Sequence, residues 1–280
     1  MMTNRRNFLK TAGIGLVAAT CPSGNINYLS TGLSKNRKFD FKLGVASYSA
    51  RKFTREEALD MTLRCGIDRI AFKSMHLPLD SDRSEIKKAV ALCKEKGIIL
   101  YGGGVIYMKN REEVDQAFEY AKAAGMDTII GVPEHELLKY TEGKVKEYNI
   151  KLAIHNHGPG DERYPSAESA YVLIKDMDKR MGLCIDIGHT KRINRNPEQD
   201  LKDFADRVHD IHIKDVTEAS AKGKTCIIGR GVIDFPSFMK AVIKSGYTGT
   251  LALEYEADAD DPLPGMMESF GYVKGILSII

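Results

Sequence analysis

One unit recurs along the chain from Phe41 onward: a short β-rich run, a polar loop, an amphipathic helix and then the next run. The runs begin at Lys42, Asp68, Ile98, Asp127, Ile150, Met181, Val208 and Gly249. Most of them are continuously apolar, as expected for parallel strands that are buried on both faces. Eight alternating units predict a closed (β/α)8 TIM barrel, whose usual length of about 250 residues suits this chain.

The segments between the runs carry start and stop signals for helices. Predicted N-caps are Thr54, Ser84, Asn110 and Ser166, with capping boxes at Thr54 and Asn110. Glycines that follow the helical segments, where a left-handed residue can end a helix, are Gly66, Gly97, Gly125 and Gly246. A doubly wound open sheet is the alternative fold, but the turn after the first run, LGVASYSARKF, lacks its GxGxxG phosphate motif.

The N-terminal segment reads TNRRNFLKTAGIGLVAATC and differs from the rest. Its apolar stretch is far shorter than the ~20 residues that span a bilayer, so no stable membrane span is expected. Arg5 and Arg6, followed by NFLK, resemble a twin-arginine export signal; a disordered basic start is the alternative. We therefore predict an export signal and linker over residues 1–38, the barrel over 39–280, and a periplasmic location. A lipid anchor at Cys21 is left open.

Composition excludes several classes of protein. The net charge of +3 offers no broad basic surface for nucleic acid. The five cysteines are scattered, odd in number and without CxxC spacing, so a disulfide framework is not expected. Cys65, Cys93 and Cys184 lie in apolar contexts and are predicted to be buried thiols. Whether the protein forms a homo-oligomer is left open.

Polar side chains follow most of the predicted strands. They are Lys73 and His76, Glu134, His155 and His157, Asp186 and His189, His212 and Lys214, and Glu254. In a barrel the carboxyl ends of the strands surround one cavity, where facing carboxylates need a counter-charge. Side-chain alternation lets His155, Asp186, His212 and Glu254 point inward together. Mixed imidazole and carboxylate ligands suit Mn, Fe, Co or Zn better than Ca.

Five motifs carry a family resemblance: LAIHNHG, CIDIGHT, VHDIHIKDV, IGRGVIDFPSFMKAV and LALEYE. In this order and spacing they resemble the xylose-isomerase-like TIM-barrel superfamily, from about Phe41 to the C-terminus. The resemblance implies one divalent metal (Mn, Co, Mg or Zn) held by a Glu, an Asp, a His and a Glu from the last four strands. Asp186, His212 and Glu254 match the last three. Where many relatives carry Glu, this chain has His155, and the remaining ligand is left open among His155, His157 and Glu134.

The resemblance implies a metal-dependent sugar isomerase or epimerase that removes a proton next to a carbonyl of a free or oxidised sugar. Glu134 and Glu254 are the candidate bases, and Lys214 and Lys73 the candidate cationic oxygen binders. His76 is a candidate acid or hydrogen-bonding group. Further candidate substrate contacts are His157, His189 and Arg230.

Three other functions are kept as alternatives. A metal-dependent sugar dehydratase or lyase would share the same ligands. An endonuclease IV-like phosphodiesterase needs more histidines than this chain has, since none occurs after His212. The third alternative is a barrel that binds sugar without catalysis. A small carbohydrate is the expected partner, and no nucleic acid is expected.

Overall fold

The computed structural model describes residues 39–280. The predicted export signal, the linker and the candidate lipidation site at Cys21 lie in residues 1–38, outside the described residues. Among residues 39–280, no helix is both long and apolar enough to cross a membrane.

Eight parallel strands form a closed barrel, as the apolar runs predict. The barrel strands are β1 (Lys42–Ala46), β2 (Arg69–Phe72), β3 (Ile99–Met108), β4 (Thr128–Pro133), β5 (Lys151–His155), β6 (Met181–Asp186), β7 (Val208–Ile213) and β10 (Thr250–Leu253). Each strand pairs with its neighbours in sequence, and β1 closes the ring against β10. The two-residue strands β8 (Asp215–Val216) and β9 (Thr225–Cys226) form a small antiparallel ladder in the segment after β7.

Helices follow the strands. They are α1 (Arg55–Arg64), α2 (Arg83–Glu95), α3 (Arg111–Ala124), α4 (Leu138–Tyr148), α5 (Ala167–Ile174), α6 (Ile187–Arg192), α7 (Pro197–Phe204), α8 (Phe235–Lys244) and α9 (Leu263–Ile279). Short 3-10 helices span Ser47–Ala50, His135–Leu137 and Ala205–Arg207. The predicted glycines Gly66, Gly97, Gly125 and Gly246 all have φ between +66° and +72°, which confirms their left-handed conformation.

Most of the predicted helix starts are confirmed. Thr54 forms a complete capping box with Glu57, and Ser166 caps α5. The prediction for Ser84 is wrong, because α2 begins one residue earlier and the Asp82 carboxylate accepts the capping hydrogen bond from the N–H of Glu85. Aspartate caps a helix as well as serine does, so the carboxylate two residues upstream takes this role.

Asn110 caps α3 by accepting a hydrogen bond from the N–H of Glu113 (2.8 Å). The box predicted here is only half formed, however. The Glu113 carboxylate accepts instead from the backbone N–H of Lys109, at 2.7 Å.

The apolar core has two parts. The larger part packs the outer faces of the strands against the helices. The smaller part lies inside the barrel and consists of Ala46, Ala71, Tyr101, Ile130, Ala153, Cys184 and Ala252. Its side chains are mostly small, and polar side chains follow them toward the carboxyl ends of the strands. The buried free thiols of Cys65, Cys93 and Cys184 confirm the prediction for these residues.

Asp215, the residue after Lys214, fixes the segment that leads into α8. Its Oδ2 accepts hydrogen bonds from the N–H groups of Gly229 and Gly231, both at 3.0 Å. Its Oδ1 accepts from Val216 (2.9 Å) and Ile233 (3.2 Å). One buried carboxylate thereby accepts hydrogen bonds from four backbone N–H groups of this irregular segment.

Replacing Asp215 with Asn should therefore destabilise the barrel. The amide NH2 group cannot accept the N–H donors that the lost carboxylate oxygen satisfied, and we expect a loss of about 2–4 kcal/mol of unfolding free energy in urea. Asp234→Ala, which removes only the N-cap of α8, should cost about 1 kcal/mol. Equal losses in the two variants would contradict the role given to Asp215.

His209 makes stability depend on pH at the amino-terminal end of the barrel. Burial, together with the nearby charges of Lys151 and Arg207, lowers the pKa of His209 from 6.5 to about 4. The folded protein keeps the His209 ring neutral, whereas the unfolded chain takes up a proton on this ring near pH 6.5. His209 therefore does not reduce the unfolding free energy above pH 6.5, and it reduces it progressively as the pH falls toward 4. His209→Gln should therefore lose less unfolding free energy than the wild type between pH 7 and pH 4, by about 1 kcal/mol or more in urea unfolding. Identical losses in both proteins would show that His209 is not responsible.

Candidate functional site

Four side chains converge at the carboxyl ends of neighbouring strands. His155 ends β5, Asp186 ends β6, His212 lies near the end of β7, and Glu254 follows β10 directly. All four are buried, and one nitrogen or oxygen of each lies within 4.8 Å of those of the other three. The strand register explains this convergence, since Asp186 pairs laterally with His212 and β7 lies between β6 and β10.

The distances within this group suit a divalent cation. His155 Nε2 lies 3.1 Å from His212 Nδ1 and 3.4 Å from Asp186 Oδ2, and His212 Nδ1 lies 3.3 Å from Glu254 Oε2. Atoms bound ~2.1 Å from one ion lie about 3.0–3.4 Å apart in octahedral or tetrahedral geometry. Two imidazoles and two carboxylates are also a common ligand set for transition metals. The residues therefore fit a metal ion.

The structure brings His155 into this group. Neither His157 nor Glu134, the other two candidates for the remaining ligand, belongs to a potential metal-binding group among residues 39–280. A second potential group joins Cys184 to the same two histidines. Burial holds the pKa of the Cys184 thiol well above its usual value, and the nearby Asp210 raises it further. This favours the carboxylate-containing group.

The two carboxylate oxygens of Asp186 have different partners. Oδ1 caps α6 by accepting a hydrogen bond from the N–H of His189, at 2.8 Å. Oδ2 faces His155 and the ammonium of Lys214. The side-chain oxygen of Asn156 accepts the backbone N–H of Asp186, at 3.0 Å, and so fixes the end of β6. Asp186 is thus oriented by its neighbours while Oδ2 points into the site.

Lys214 carries the balancing positive charge. Its side chain is 2% exposed, and its Nζ lies 2.9 Å from Asp186 Oδ2 and 2.8 Å from Glu254 Oε2. A third carboxylate, that of Glu256, also contacts this ammonium. Burial would raise the pKa of Glu254, but Lys214 and then His212 outweigh it and hold that pKa well below its usual value. Burial would likewise raise the pKa of Asp186, but Lys214 and the nearby histidines outweigh it and hold that pKa well below its usual value, so both carboxylates of the potential metal group are ionised at neutral pH.

A buried carboxylate lies beneath His212. Asp210 Oδ2 is 3.6 Å from His212 Nε2, and the hydroxyl of Tyr101 donates to the same carboxyl at 3.3 Å. Burial raises the pKa of Asp210 to about 6. Metal-binding histidines commonly direct their second nitrogen at such a carboxylate, which fixes the orientation of the ring. Asp210 can orient His212 in this way.

Most of the imidazoles at the site are neutral at pH 7. Burial lowers the pKa of His155 and of His189 to about 4, and it also lowers the pKa of His157. His212 differs, since Glu254 outweighs the effect of burial and raises its pKa. Neutral imidazole is the form that binds a metal or accepts a proton.

Three other predicted residues lie beside the group. His189 Nε2 is 4.0 Å from Asp186 Oδ2. His157 packs against His155 with ring centres 4.5 Å apart, and its Nε2 is 3.1 Å from the hydroxyl of Tyr107. Lys73 donates from Nζ to the carbonyl of Val105 at 2.6 Å. Burial lowers the pKa of Lys73, and the negative charge of Glu254 partly opposes this shift.

The remaining predicted residues have their polar groups engaged elsewhere. His76 is buried between Ser47 Oγ (2.8 Å) and the carbonyl of Phe53 (3.2 Å). Two further side chains form ion pairs: Glu134 accepts from Arg163 Nε at 2.7 Å, and Arg230 makes two hydrogen bonds to Glu268 at 2.7 Å. The structure does not bring these residues into the group around Asp186, and their predicted roles stay predictions.

Sequence reasoning gave no role to Tyr107, Asn156, Asp210 or Glu256. The alternation of side chains could have predicted two of them near the site, since Asp210 shares a strand face with His212, and Glu256 shares one with Glu254. Nothing in the sequence pairs Tyr107 with His157, because they lie 50 residues apart.

Several curated proteins share sequence with part of this chain. It is 28% identical to a rhizopine catabolism protein of Rhizobium meliloti in an alignment of 145 positions that covers 46% of this chain and 44% of the relative. It is 25% identical to an inosose dehydratase of Lacticaseibacillus casei in an alignment of 130 positions that covers 41% of this chain and 43% of the relative. The chain thus matches less than half the length of each of these relatives.

A solved structure shares the fold. The 3-keto-D-glucoside 4-epimerase of E. coli superposes with a TM-score of 0.67 at 15% identity, covering 84% of this chain and 99% of that one. The sequence itself matches the family described as "Xylose isomerase-like TIM barrel" over residues 59–276, which include all four residues of the potential metal group. The chain belongs to the xylose isomerase-like TIM barrel family.

Proposed function

We propose that this protein is a divalent-metal-dependent sugar isomerase or epimerase that moves a proton next to a carbonyl of a free or oxidised sugar. The observation that carries the proposal is the buried convergence of His155, Asp186, His212 and Glu254 at the carboxyl ends of four barrel strands. Active sites of (β/α)8 enzymes lie at this end of the barrel. The family and its sugar-processing relatives support a carbohydrate substrate.

His155, Asp186, His212 and Glu254 would hold the ion. When bound, a divalent cation polarises a substrate carbonyl and so acidifies the neighbouring C–H bond. Asn156 serves this arrangement indirectly, since its side chain accepts a hydrogen bond from the N–H of Asp186. Asp210 lies 3.6 Å from His212 Nε2 and would help to orient that ring. The arrangement of charged groups also supports a cation, because three carboxylates, those of Asp186, Glu254 and Glu256, surround the single ammonium of Lys214.

Glu254 is the proposed base on one side of the substrate. Its carboxylate is ionised at neutral pH, which is the form that accepts a proton. The proton can return to the same carbon from the opposite face, which gives epimerisation, or to the neighbouring carbon, which gives isomerisation. Epimerisation needs a second group that donates the proton from the opposite face, whereas isomerisation can return the proton from the same base.

His157 is the proposed second group. Its ring is neutral at pH 7, its Nε2 lies 3.1 Å from the hydroxyl of Tyr107, and its Nδ1 lies 3.4 Å from Asp161 Oδ2. An imidazole oriented by a carboxylate is a common arrangement for general acid–base catalysis. Glu134, the other candidate base, pairs with Arg163 instead.

The substrate is proposed to bind on the side of β2 and β3. A cavity of about 250 Å³ lies there, and its lining includes Lys73, Val105 and Tyr107. Tyr107 lines this cavity, and its hydroxyl lies 3.1 Å from His157 Nε2. Lys73 also lines the cavity, and its ammonium can bind a sugar oxygen. Export through the predicted twin-arginine signal stays part of this proposal and favours a free or oxidised sugar over a phosphorylated one.

Dehydration is the second candidate function. The sequence relatives include an inosose dehydratase, and His155 stands where an epimerase-type site would place a second glutamate. A dehydratase shares the first step, proton removal next to the carbonyl, and then loses a hydroxyl group as water from the next carbon. That route needs no base on the opposite face.

The test uses free sugars, keto sugars and inososes with Mn, Co or Mg in D2O. We expect deuterium at the carbon next to the carbonyl for at least one substrate, read by NMR, and loss of exchange in excess chelator. Glu254→Gln should slow exchange by about 100-fold or more, because it removes both the proposed base and one residue of the potential metal group. Asp186→Asn should lose bound metal, measured by plasma mass spectrometry, as well as turnover.

Glu142→Gln is the matched control. Glu142 is also buried and pairs with two lysines, Lys139 and Lys146, but it lies on α4 away from the site. It should keep both metal and exchange. Full activity of the wild type in excess chelator would contradict the metal-dependent mechanism. Products that have lost one molecule of water would favour the dehydratase over the epimerase.

A further inference from the structure

We propose that Lys214 is a built-in cation that competes with the metal ion for Asp186 and Glu254 and thereby sets the metal affinity of the site. This inference rests on the proposed metal-dependent function and goes beyond it. The oxygens that the Lys214 ammonium contacts, Asp186 Oδ2 and Glu254 Oε2, are the same atoms that face the two imidazoles of the potential metal group.

The geometry leaves this ammonium little else to bind. A lysine ammonium has three N–H donors, and three carboxylates surround that of Lys214: Asp186, Glu254 and Glu256. The side chain is 2% exposed. A substrate oxygen that approached Lys214 would compete with these three carboxylates for the ammonium.

The protein is shaped to hold this side chain in place. Lys214 passes over Gly188 in the first turn of α6, and a methyl group added at Gly188 would overlap Cγ and Cδ of Lys214. The absence of a side chain at position 188 thus makes room for the lysine stem directly beside Asp186. Glu256 provides a third anchor that lies outside the potential metal group.

Two consequences follow from this position. Without metal, Lys214 neutralises carboxylates that would otherwise repel one another in a buried site. With metal, the same positive charge would stay beside Asp186 and Glu254, two of the residues that would hold the ion, and would weaken its binding. One lysine therefore stabilises the metal-free protein and lowers its affinity for the cation.

The experiment is titration calorimetry with Mn²⁺ on the metal-free full-length protein. Lys214→Met keeps the length of the stem and removes the charge, and we expect it to bind Mn²⁺ about tenfold more tightly or better. Lys144→Met is the matched control, since Lys144 also pairs with two carboxylates, Asp115 and Glu147, but lies on α4 away from the site. Its Kd should stay within about threefold of the wild type, because its ammonium does not contact the ligand oxygens.

Thermal unfolding gives a second readout that does not depend on activity. Metal-free Lys214→Met should melt about 5 °C or more below the wild type, and saturating Mn²⁺ should raise its melting temperature by more than it raises that of the wild type. Glu256→Gln covers the case in which Lys214→Met does not fold. It leaves the ammonium entirely to Asp186 and Glu254, so Mn²⁺ should bind about threefold more weakly or worse.

The outcomes separate this inference from the proposed function. The inference would be overturned if Lys214→Met bound Mn²⁺ no more tightly than the wild type. It would also be overturned if Glu256→Gln bound Mn²⁺ at least as tightly as the wild type. Either result would leave the metal site of the wild type in place. Binding of Mn²⁺ by Lys214→Met but not by the wild type would support it in its strongest form. Absence of binding in both proteins would overturn the inference and the metal-dependent function together.

Discussion

Closure of the sheet is the constraint on which the site depends. β1 pairs with β10 from Lys42–Thr250 to Val45–Leu253, which joins the two ends of the chain's strand series into a ring. Because every strand of that ring is parallel, all the carboxyl ends open onto the same mouth. Side chains more than 90 residues apart in sequence, such as His155 and Glu254, thereby meet in one buried group.

That group is held together by charge as much as by packing. Several ionised carboxylates share a buried space, a costly arrangement unless cations balance them. Lys214 supplies one positive charge from within the chain, and a divalent ion would supply the rest. The imidazoles of His155 and His212 lie between the carboxylates, and burial keeps His155 neutral. The chemistry proposed for this protein depends on this balance, because it leaves Glu254 ionised and His155 neutral and able to bind a cation.

Much of the fold was predictable because its signals are local. Eight apolar runs marked the eight barrel strands, and four glycines marked helix ends where only a residue without Cβ adopts a left-handed conformation easily. The error at Ser84 also concerns a local signal, since Asp82, two residues upstream, takes the capping position instead. The candidate site was predictable in part, because alternation along β7 places His212 and Lys214 on the inner face once a barrel is assumed.

The sequence by itself determined the strand count, the inward face of each strand and the set of polar residues at the strand ends, because these depend on periodicity and order along the chain. Only the tertiary structure decided which of those residues share a space. It brought His155 rather than His157 or Glu134 to Asp186, and it paired Glu134 with Arg163 and Arg230 with Glu268. It also placed the ammonium of Lys214 among three carboxylates. The physical reason is that such contacts depend on strand register and on side-chain direction across the barrel mouth, which distant parts of the chain set together.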